Sequence, residues 1–550
     1  MRVGTMSLKW FLYAAAALFA GEALAAGPQS APIVSEPSLR AHLAFLADDL
    51  LEGRGTGQRG GELAVRYLET QALRIGLQPL PSPQVHGFLQ SVKIIGSQTL
   101  PDSYAEFISG NQIMKPVSGS EIVFGSSGGR TESNLDAQVV FVGYGIRAPE
   151  ERWDDFKGTD LKGKLLIMMV NDPQATADEP QRFGGAALTY YGRWTYKYEE
   201  AARQGAAGVL LIHTTPSATY AWNVPQTSFT HERFSLPDVG NAMEGWLQES
   251  TARQLFAAAG QNLDQLRAAA ERRDFRPVSL NLRLHAKVHS RVRQVEQFNV
   301  IGMVPGTDPV LKKQAVVYSA HWDHLGIETD ASGKTHIFNG AIDNASGSAA
   351  LLAMAETAVT HPTRRTQIFL WPCAEEQYLL GSAAYITNPP WPLAATAADL
   401  NLDSMNFVAR TRDIGVEGSE RSNLYQSAQK VAGKMKLKIA PPAPDLGGAF
   451  FRADHFNFAR AGVPAFNVGS AVFSGDGHFD FDKQPKQVYQ QQMKDFKGHY
   501  HTEQDRYRPD WDLSGMAQQA QFTLNLGYEV ANTTLMPVWH QGEAFANIKR

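Results

Sequence analysis

Cysteine is all but missing from this chain. Cys373 stands alone, so no disulfide can form within the molecule, and a small buried side chain at a strand end is the role its surroundings suggest. Past the first residues, no stretch reaches eighteen uninterrupted apolar positions, which leaves no candidate for a membrane-spanning helix there. Basic charge is not in excess either: the formal net charge is −4, and a mildly acidic balance argues against nucleic acid as a partner. Internal repeats and low-complexity tracts are lacking. The glycines between Gly53 and Gly61 offer GxG pieces, but no apolar strand leads into them and no Gly-Lys-Ser/Thr follows, so they do not read as a phosphate loop. What remains, 43% hydrophobic and 19% charged residues over 550 positions, suits a large globular protein of one big domain with an insertion, or of two to three domains.

At the start, Arg2 and Lys9 precede the apolar run WFLYAAAALFAG, and Ala23-Leu24-Ala25 supplies the small-x-small pattern of a secretory cleavage site. Residues 1–25 are therefore expected to be a cleaved signal peptide. That run is too short to span a bilayer, so no stable membrane anchor is expected after cleavage, and the mature chain belongs in a periplasm or outside the cell.

Val65, Leu68, Ala72 and Ile75 then form an apolar stripe at helical spacing, stopped by Gly76 and Pro79. From about residue 136 the texture changes to short β-rich runs, AQVVFVGYGI, GKLLIMMV and AAGVLLIHT, with one helical stretch, WTYKYEEAARQG, between the last two. From about 290 onward, apolar strand runs alternate with helix-length segments, the pattern of a parallel or mixed sheet flanked by helices.

Chemistry concentrates in this last region. The strand QAVVYSAHWDH ends in His321 and Asp323, and FNGAIDNASG is a loop holding Asp343 ahead of a helix. The strand TQIFLWPCAEE ends in Glu375 and Glu376, ADLNLDSMN ends in Asp403, and GHYHTEQD is a polar loop with His501. Carboxyl ends of strands are where open α/β sheets place their ligands. Taken singly, each residue has an ordinary reading: Asp343 as a helix cap, Asp403 as a turn former, the two glutamates as an exposed pair. Taken together, imidazoles and carboxylates without a thiolate are what Zn²⁺ accepts when a site must leave a position open for catalysis. A glycosidase pair is excluded, because adjacent residues on an extended strand point in opposite directions.

In order along the chain, SAHWDHLG, NGAIDNASGSAALLAMAE, EEQYLLGSAAY, LNLDSMN, ADHFNFARAGVPAF and YHTEQD resemble the M28 family of co-catalytic di-zinc metallopeptidases, which includes aminopeptidases and glutamate carboxypeptidases. The opening LEGRGTGQRGGELAVRYL resembles the family's N-terminal segment. The resemblance implies an α/β fold, a mixed eight-stranded sheet between helices, with a protease-associated (PA) domain inserted at 136–285, between a peptidase part at 26–135 and the metal-bearing part at 286–550. It also implies two Zn²⁺ per chain, with His321 and Asp403 on one, Glu376 and His501 on the other, and Asp343 bridging. Asp323 would orient the His321 ring and Glu375 would be the general base, acting on a zinc-bound water. His499 lies two residues before His501 and can also reach a metal, but the position before T-x-x-D matches the family pattern. His324 and His336 receive no role. Asp454 and His455 fall near the implied substrate pocket, and Arg410, Arg412 and Arg452 are candidates to receive a substrate carboxylate or else are solvated surface residues. Peptides are the implied substrates, trimmed from the amino end in preference to the carboxyl end. A mono-zinc glutaminyl cyclase and an inactive receptor-like relative are the alternatives, and both would be expected to lack part of the ligand set.

Overall fold

In the computed structural model, the described residues are 32–550 except 219, 331, 441–443, 469–493 and 495–497; the expected signal peptide lies outside them. The organising element is a single strand, Val278–Val304. Between Val278 and Ile301 the sequence has neither proline nor glycine to break it, and apolar residues alternate with polar ones over much of that stretch. Its two ends serve different neighbours, so that fourteen strands form one hydrogen-bonded sheet.

On the carboxyl half of this strand, the order runs Leu89–Thr99 on one side, and Thr366–Trp371, Ala315–Ser319, Thr396–Asn401 and Ala465–Asn467 on the other. The last four are mutually parallel, and Thr366–Trp371 is antiparallel to the long strand, which makes the sheet mixed. Ala315–Ser319 and Thr366–Trp371 are buried along their whole length, as strands covered on both faces must be. Alternate side chains enter separate cores: Val316, Tyr318, Phe369 and Trp371 face one apolar cluster, while Ala315, Val317, Ile368 and Leu370 face another. The first is closed by the helices Glu36–Leu46, Ser346–Thr360 and Ser514–Asn532. Ser346–Thr360 is made mostly of small and apolar residues, Glu356 apart, which is why most of it can sit buried between its neighbours. The helix expected after the glycine-rich loop spans Arg59–Ile75 and ends at Gly76, whose φ of 91° is a left-handed cap.

The amino half of the long strand pairs with Glu132–Phe141, beyond which Leu165–Met169, Gly208–His213 and Glu244–Gln248 follow in parallel and Ile122–Gly125 closes the edge. Tyr104–Ser109 and Ile122–Gly125 lie ahead of residue 136 in the chain yet belong to this half. The two halves also touch away from the shared strand. Arg460 makes a two-pronged ion pair with Glu199 at 2.9 and 3.0 Å, Tyr190 packs against Phe456, and Leu188 donates its N–H to the Asp445 carbonyl at 2.8 Å.

Candidate metal centre

The strand Ala315–Ser319 ends just before Ala320, and the chain then turns. Two backbone bonds set this turn, from Trp322 N–H to the Pro372 carbonyl and from His324 N–H to the Arg54 carbonyl. The Asp343 loop, Ala341–Ala345, is held by Asp505, whose carboxylate accepts the N–H groups of Ile342 at 2.9 Å and Asp343 at 3.1 Å. Glu375 and Glu376 stand four and five residues past the end of Thr366–Trp371 rather than at it, in a loop where Ala374, Tyr378 and Leu379 have positive φ. Non-glycine residues held this way mark a backbone fixed by its surroundings. At Gly340 (φ 56°) a Cβ would meet the Asp343 carbonyl at 2.2 Å and the His324 ring at 2.4 Å, so only glycine fits.

These loops bring the expected residues together. His321 Nε2 lies 3.3 Å from Asp343 Oδ1, 3.5 Å from Asp403 Oδ1 and 3.9 Å from Glu375 Oε2. His501 Nε2 lies 3.1 Å from Asp343 Oδ2 and 3.2 Å from Glu376 Oε2. Asp343 thus turns one oxygen to each imidazole. The groups sort into two sets able to hold a cation, His321 with Glu375 and Asp403, and His324 with Asp343, Glu376 and His501. His499 stands outside both. The least buried members of the cluster are His501 (33% exposed) and Asp403 (16%).

Burial costs any ionised group here, and the neighbours decide the outcome. Glu375 is pushed well up by burial, reinforced by Glu376 and Asp403 against His321. For Asp343, burial is outweighed by His321 and His501, and its carboxyl falls well below the usual range. Glu376 falls to about 2, burial again being outweighed, here by His501 and His324. Both histidines rise, burial being overcome in His321 chiefly by Glu375 and in His501 chiefly by Glu376. So many acids around two imidazoles lack positive charge. The His321 Nε2 atom is buried with no hydrogen-bond partner among the described residues, and its spacing to the carboxylates suits atoms that share an ion better than hydrogen bonds. Nitrogen and oxygen donors without sulfur fit zinc.

Asp323 departs from expectation. Its carbonyl, at 3.1 Å, is nearer the His321 Nδ1 than its carboxylate, at 3.8 Å. The carboxylate instead accepts the N–H groups of Glu375 at 3.0 Å and Glu376 at 3.4 Å, because the glutamate loop folds back over the strand end. Three residues given no role in the sequence reading take part in the site. His324 Nδ1 is 2.6 Å from Glu376 Oε1. Asp505 holds the Asp343 loop. Arg54, fully buried, donates to the carbonyls of Trp322 at 2.7 Å, Asn339 at 2.7 Å, Gly340 at 2.9 Å and Leu46. Its only signal in sequence is an arginine inside a glycine-rich loop. Asp454 bonds to Ser382 and keeps one buried oxygen without a partner among the described residues. His455 is wholly buried, and burial lowers it to about 3. His336 ties Asp330 at 3.0 Å to Glu503 at 2.9 Å. Arg410 and Arg412 are exposed, while Arg452 lines a pocket between the two halves of the sheet.

Residues 299–524 match the model of peptidase family M28. Leucine aminopeptidase 1 of Arthroderma gypseum is 25% identical over 284 residues, covering 50% of this chain and 69% of its own length. A probable leucine aminopeptidase of Arthroderma otae is 28% identical over 197 residues, and there the match spans half of the relative's length and 34% of this chain. Among solved structures, an aminopeptidase from Aneurinibacillus sp. strain AM-1 superposes with a TM-score of 0.48 at 17% identity, over 92% of this chain and 95% of that one. A zinc aminopeptidase from Bacillus subtilis gives 0.41 at 16%, over 94% and 100%.

Proposed function

Because residues 299–524 match the model of peptidase family M28, we propose that the protein is a metallo-aminopeptidase that removes amino-terminal residues from peptides with two zinc ions. The observation that carries this reading is the Asp343 carboxylate, which turns one oxygen to His321 and the other to His501. On that reading His321 and Asp403 hold one cation, Glu376 and His501 the other, and Asp343 both. Bound zinc supplies Lewis-acid activation of a water and of the scissile carbonyl. The protein's part is proton transfer and positioning. Glu375, raised by burial and by its acidic neighbours, takes a proton from the attacking water and passes it to the leaving amine, the work of a general base turned acid. Asp323 holds Glu375 and Glu376 through their N–H groups, so the base and a ligand are fixed by one carboxylate. Arg54 ties the His321 turn to the Asp343 loop from behind.

The names of the Arthroderma relatives favour an apolar first residue. A mono-zinc cyclase or an inactive receptor-like chain would not need the whole donor set kept in one place. We further infer that residues 1–25 are removed on export to a periplasm or the medium, and that the second half of the sheet is a PA-type insertion. We place its start near 104, ahead of 136, because the strands at Tyr104–Ser109 and Ile122–Gly125 pair within that half.

The test is an assay of the purified mature chain on leucyl anilide and on an amino-blocked peptide, with and without chelator. Release from the free-amine substrate, abolished by chelator and restored by Zn²⁺, is expected. Release only from the blocked peptide would overturn the aminopeptidase reading.

A further inference from the structure

Three neighbouring strands beneath the cation cluster end on polar residues. Ser319, Asn401 and Asn467 are the last residues of Ala315–Ser319, Thr396–Asn401 and Ala465–Asn467. The parallel register sets them side by side, Ser319 opposite Asn401 and Asn401 opposite Asn467. Ser319 donates to Asn401 Oδ1 at 3.0 Å, and Asn401 Nδ2 donates to Asn467 Oδ1 at 3.4 Å. Ser319 and Asn401 are buried. A polar row across an otherwise apolar sheet gains little over packed apolar side chains, so the stability of the sheet does not account for it.

The row ends at Asp403. Asp403 stands two residues past the end of its strand and precedes Ser404, whose φ is 57°. The last backbone bond between the two outer strands runs from Val468 N–H to the Asn401 carbonyl at 2.9 Å. For Asp403 a side chain takes the place of the strand. Asn467 Oδ1 accepts the Asp403 N–H at 3.1 Å, and Asn467 Nδ2 donates to the Asp403 carbonyl at 3.3 Å. A carboxamide offers the same acceptor and donor as a peptide group, so Asn467 continues the ladder by one rung, to the residue whose Oδ1 lies 3.5 Å from His321 Nε2. The residues on either side are held from elsewhere: Asn344 donates to the Leu402 carbonyl at 2.8 Å and accepts the Ser404 N–H at 3.4 Å.

We propose that Asn467 is a positioning residue for the cation held by His321 and Asp403. Its carboxamide fixes both backbone groups of Asp403, and with them the direction in which the ligand carboxylate is projected. The proposal deepens the two-zinc reading and rests on it. Groups that orient a metal ligand in this way are worth about 10- to 100-fold in metal affinity. Asn467 makes its contacts at Asp403, on the His321 side, so its effect falls on one cation and spares the Glu376–His501 side.

Calorimetric titration of the metal-free full chain with Zn²⁺ tests this without turnover. The unaltered protein should take up two ions per chain. Asn467→Ala, and Asn467→Gln, which keeps the polarity but displaces the carboxamide by one methylene, should each weaken one of the two by about 10- to 100-fold and leave the other in place. Circular dichroism checks that the variants fold, and the glutamine variant carries the test where alanine does not fold. Ser319→Ala removes another member of the same row without touching Asp403; it should lower the urea midpoint and leave both zinc affinities unchanged. With Co²⁺ in place of zinc, the visible absorption of one bound equivalent should change in Asn467→Gln and not in Ser319→Ala. Zinc binding in Asn467→Gln indistinguishable from the parent, both ions weakened alike, or the same loss in Ser319→Ala would overturn the proposal alone. A parent chain that binds no zinc would overturn the two-zinc reading and the proposal with it.

Discussion

The Nδ1 atom of His324 sits 2.6 Å from one oxygen of Glu376, while the other oxygen of the same carboxylate faces His501 at 3.2 Å. A carboxylate free to rotate would present either oxygen to a cation, or both. Here one is occupied, which fixes the rotamer and leaves a single oxygen for the site, the arrangement by which outer groups orient metal ligands. His324→Ala is expected to weaken the cation on the Glu376–His501 side about 10- to 100-fold. Zinc retention against a graded chelator measures this; an unaltered retention curve would reduce His324 to packing.

Glu375 shares its loop with Glu376 but faces the other imidazole, 3.9 Å from His321 Nε2. Its N–H is held by Asp323, so replacing the carboxylate by an amide leaves the loop's anchor in place. Glu375→Gln should keep the full metal content of the parent while turnover falls by at least about 10²-fold, the lower end for losing a general base. Elemental analysis beside steady-state rates reads both quantities. Comparable turnover would remove Glu375 from the chemistry.

Arg54 gives its guanidinium entirely to backbone carbonyls, those of Leu46, Trp322, Asn339 and Gly340. Burial lowers it to about 10, with Asp323, Asp505, Asp343 and Glu376 pulling the other way, so it is a fixed cation behind an acidic cluster. Arg54→Met would take the guanidinium donors from those carbonyls, leaving Gly340 only the Ala345 N–H, and would leave the cluster without its counter-charge. The expected loss is about 3–5 kcal/mol, the range for breaking a buried charged network, seen as a lower urea midpoint. A midpoint within experimental scatter of the parent would mean that the loops hold one another without it.

The clustered residues were legible because metal chemistry restricts residue type, and because His321, Asp343, Glu375, Glu376 and Asp403 follow or precede apolar runs that read as buried strands or a buried helix. What surrounds them was not. The resemblance paired the Asp323 carboxylate with the His321 ring; the chain leaves the strand at Ala320, and the carbonyl of Asp323 comes nearer the ring than its carboxylate does. Three of the four carbonyls Arg54 acts on lie hundreds of residues away in the chain, which no local pattern encodes. Apolar and polar residues alternate over much of 278–304, but that period of two is satisfied in each half of the sheet and cannot reveal that one strand crosses both. The strands at Tyr104–Ser109 and Ile122–Gly125 precede 136, where the texture changes, yet pair within this half of the sheet, a partnership that composition does not encode.

Glu356 joins three helices at one carboxylate. It stands on Ser346–Thr360 and receives Ser38 from Glu36–Leu46 and Arg74 from Arg59–Ile75, with His42 Nε2 at 3.7 Å. His42 above all, against burial, and then Ser38 and Arg74 lower its carboxyl from 4.5 to about 2. A carboxylate whose folded value lies below its unfolded one stabilises the fold in full above the unfolded value, and that contribution is lost as pH falls from about 4.5 through about 2. The side chain is 26% exposed, so solvent screening reduces the effect to about 1–2 kcal/mol at neutral pH. Glu356→Gln should therefore lower the urea midpoint at pH 7, and the gap between variant and parent should narrow steadily below pH 4.5. If the gap instead persists undiminished at the lowest pH at which both chains stay folded, the amide's altered hydrogen bonding, and not the lost charge, accounts for it.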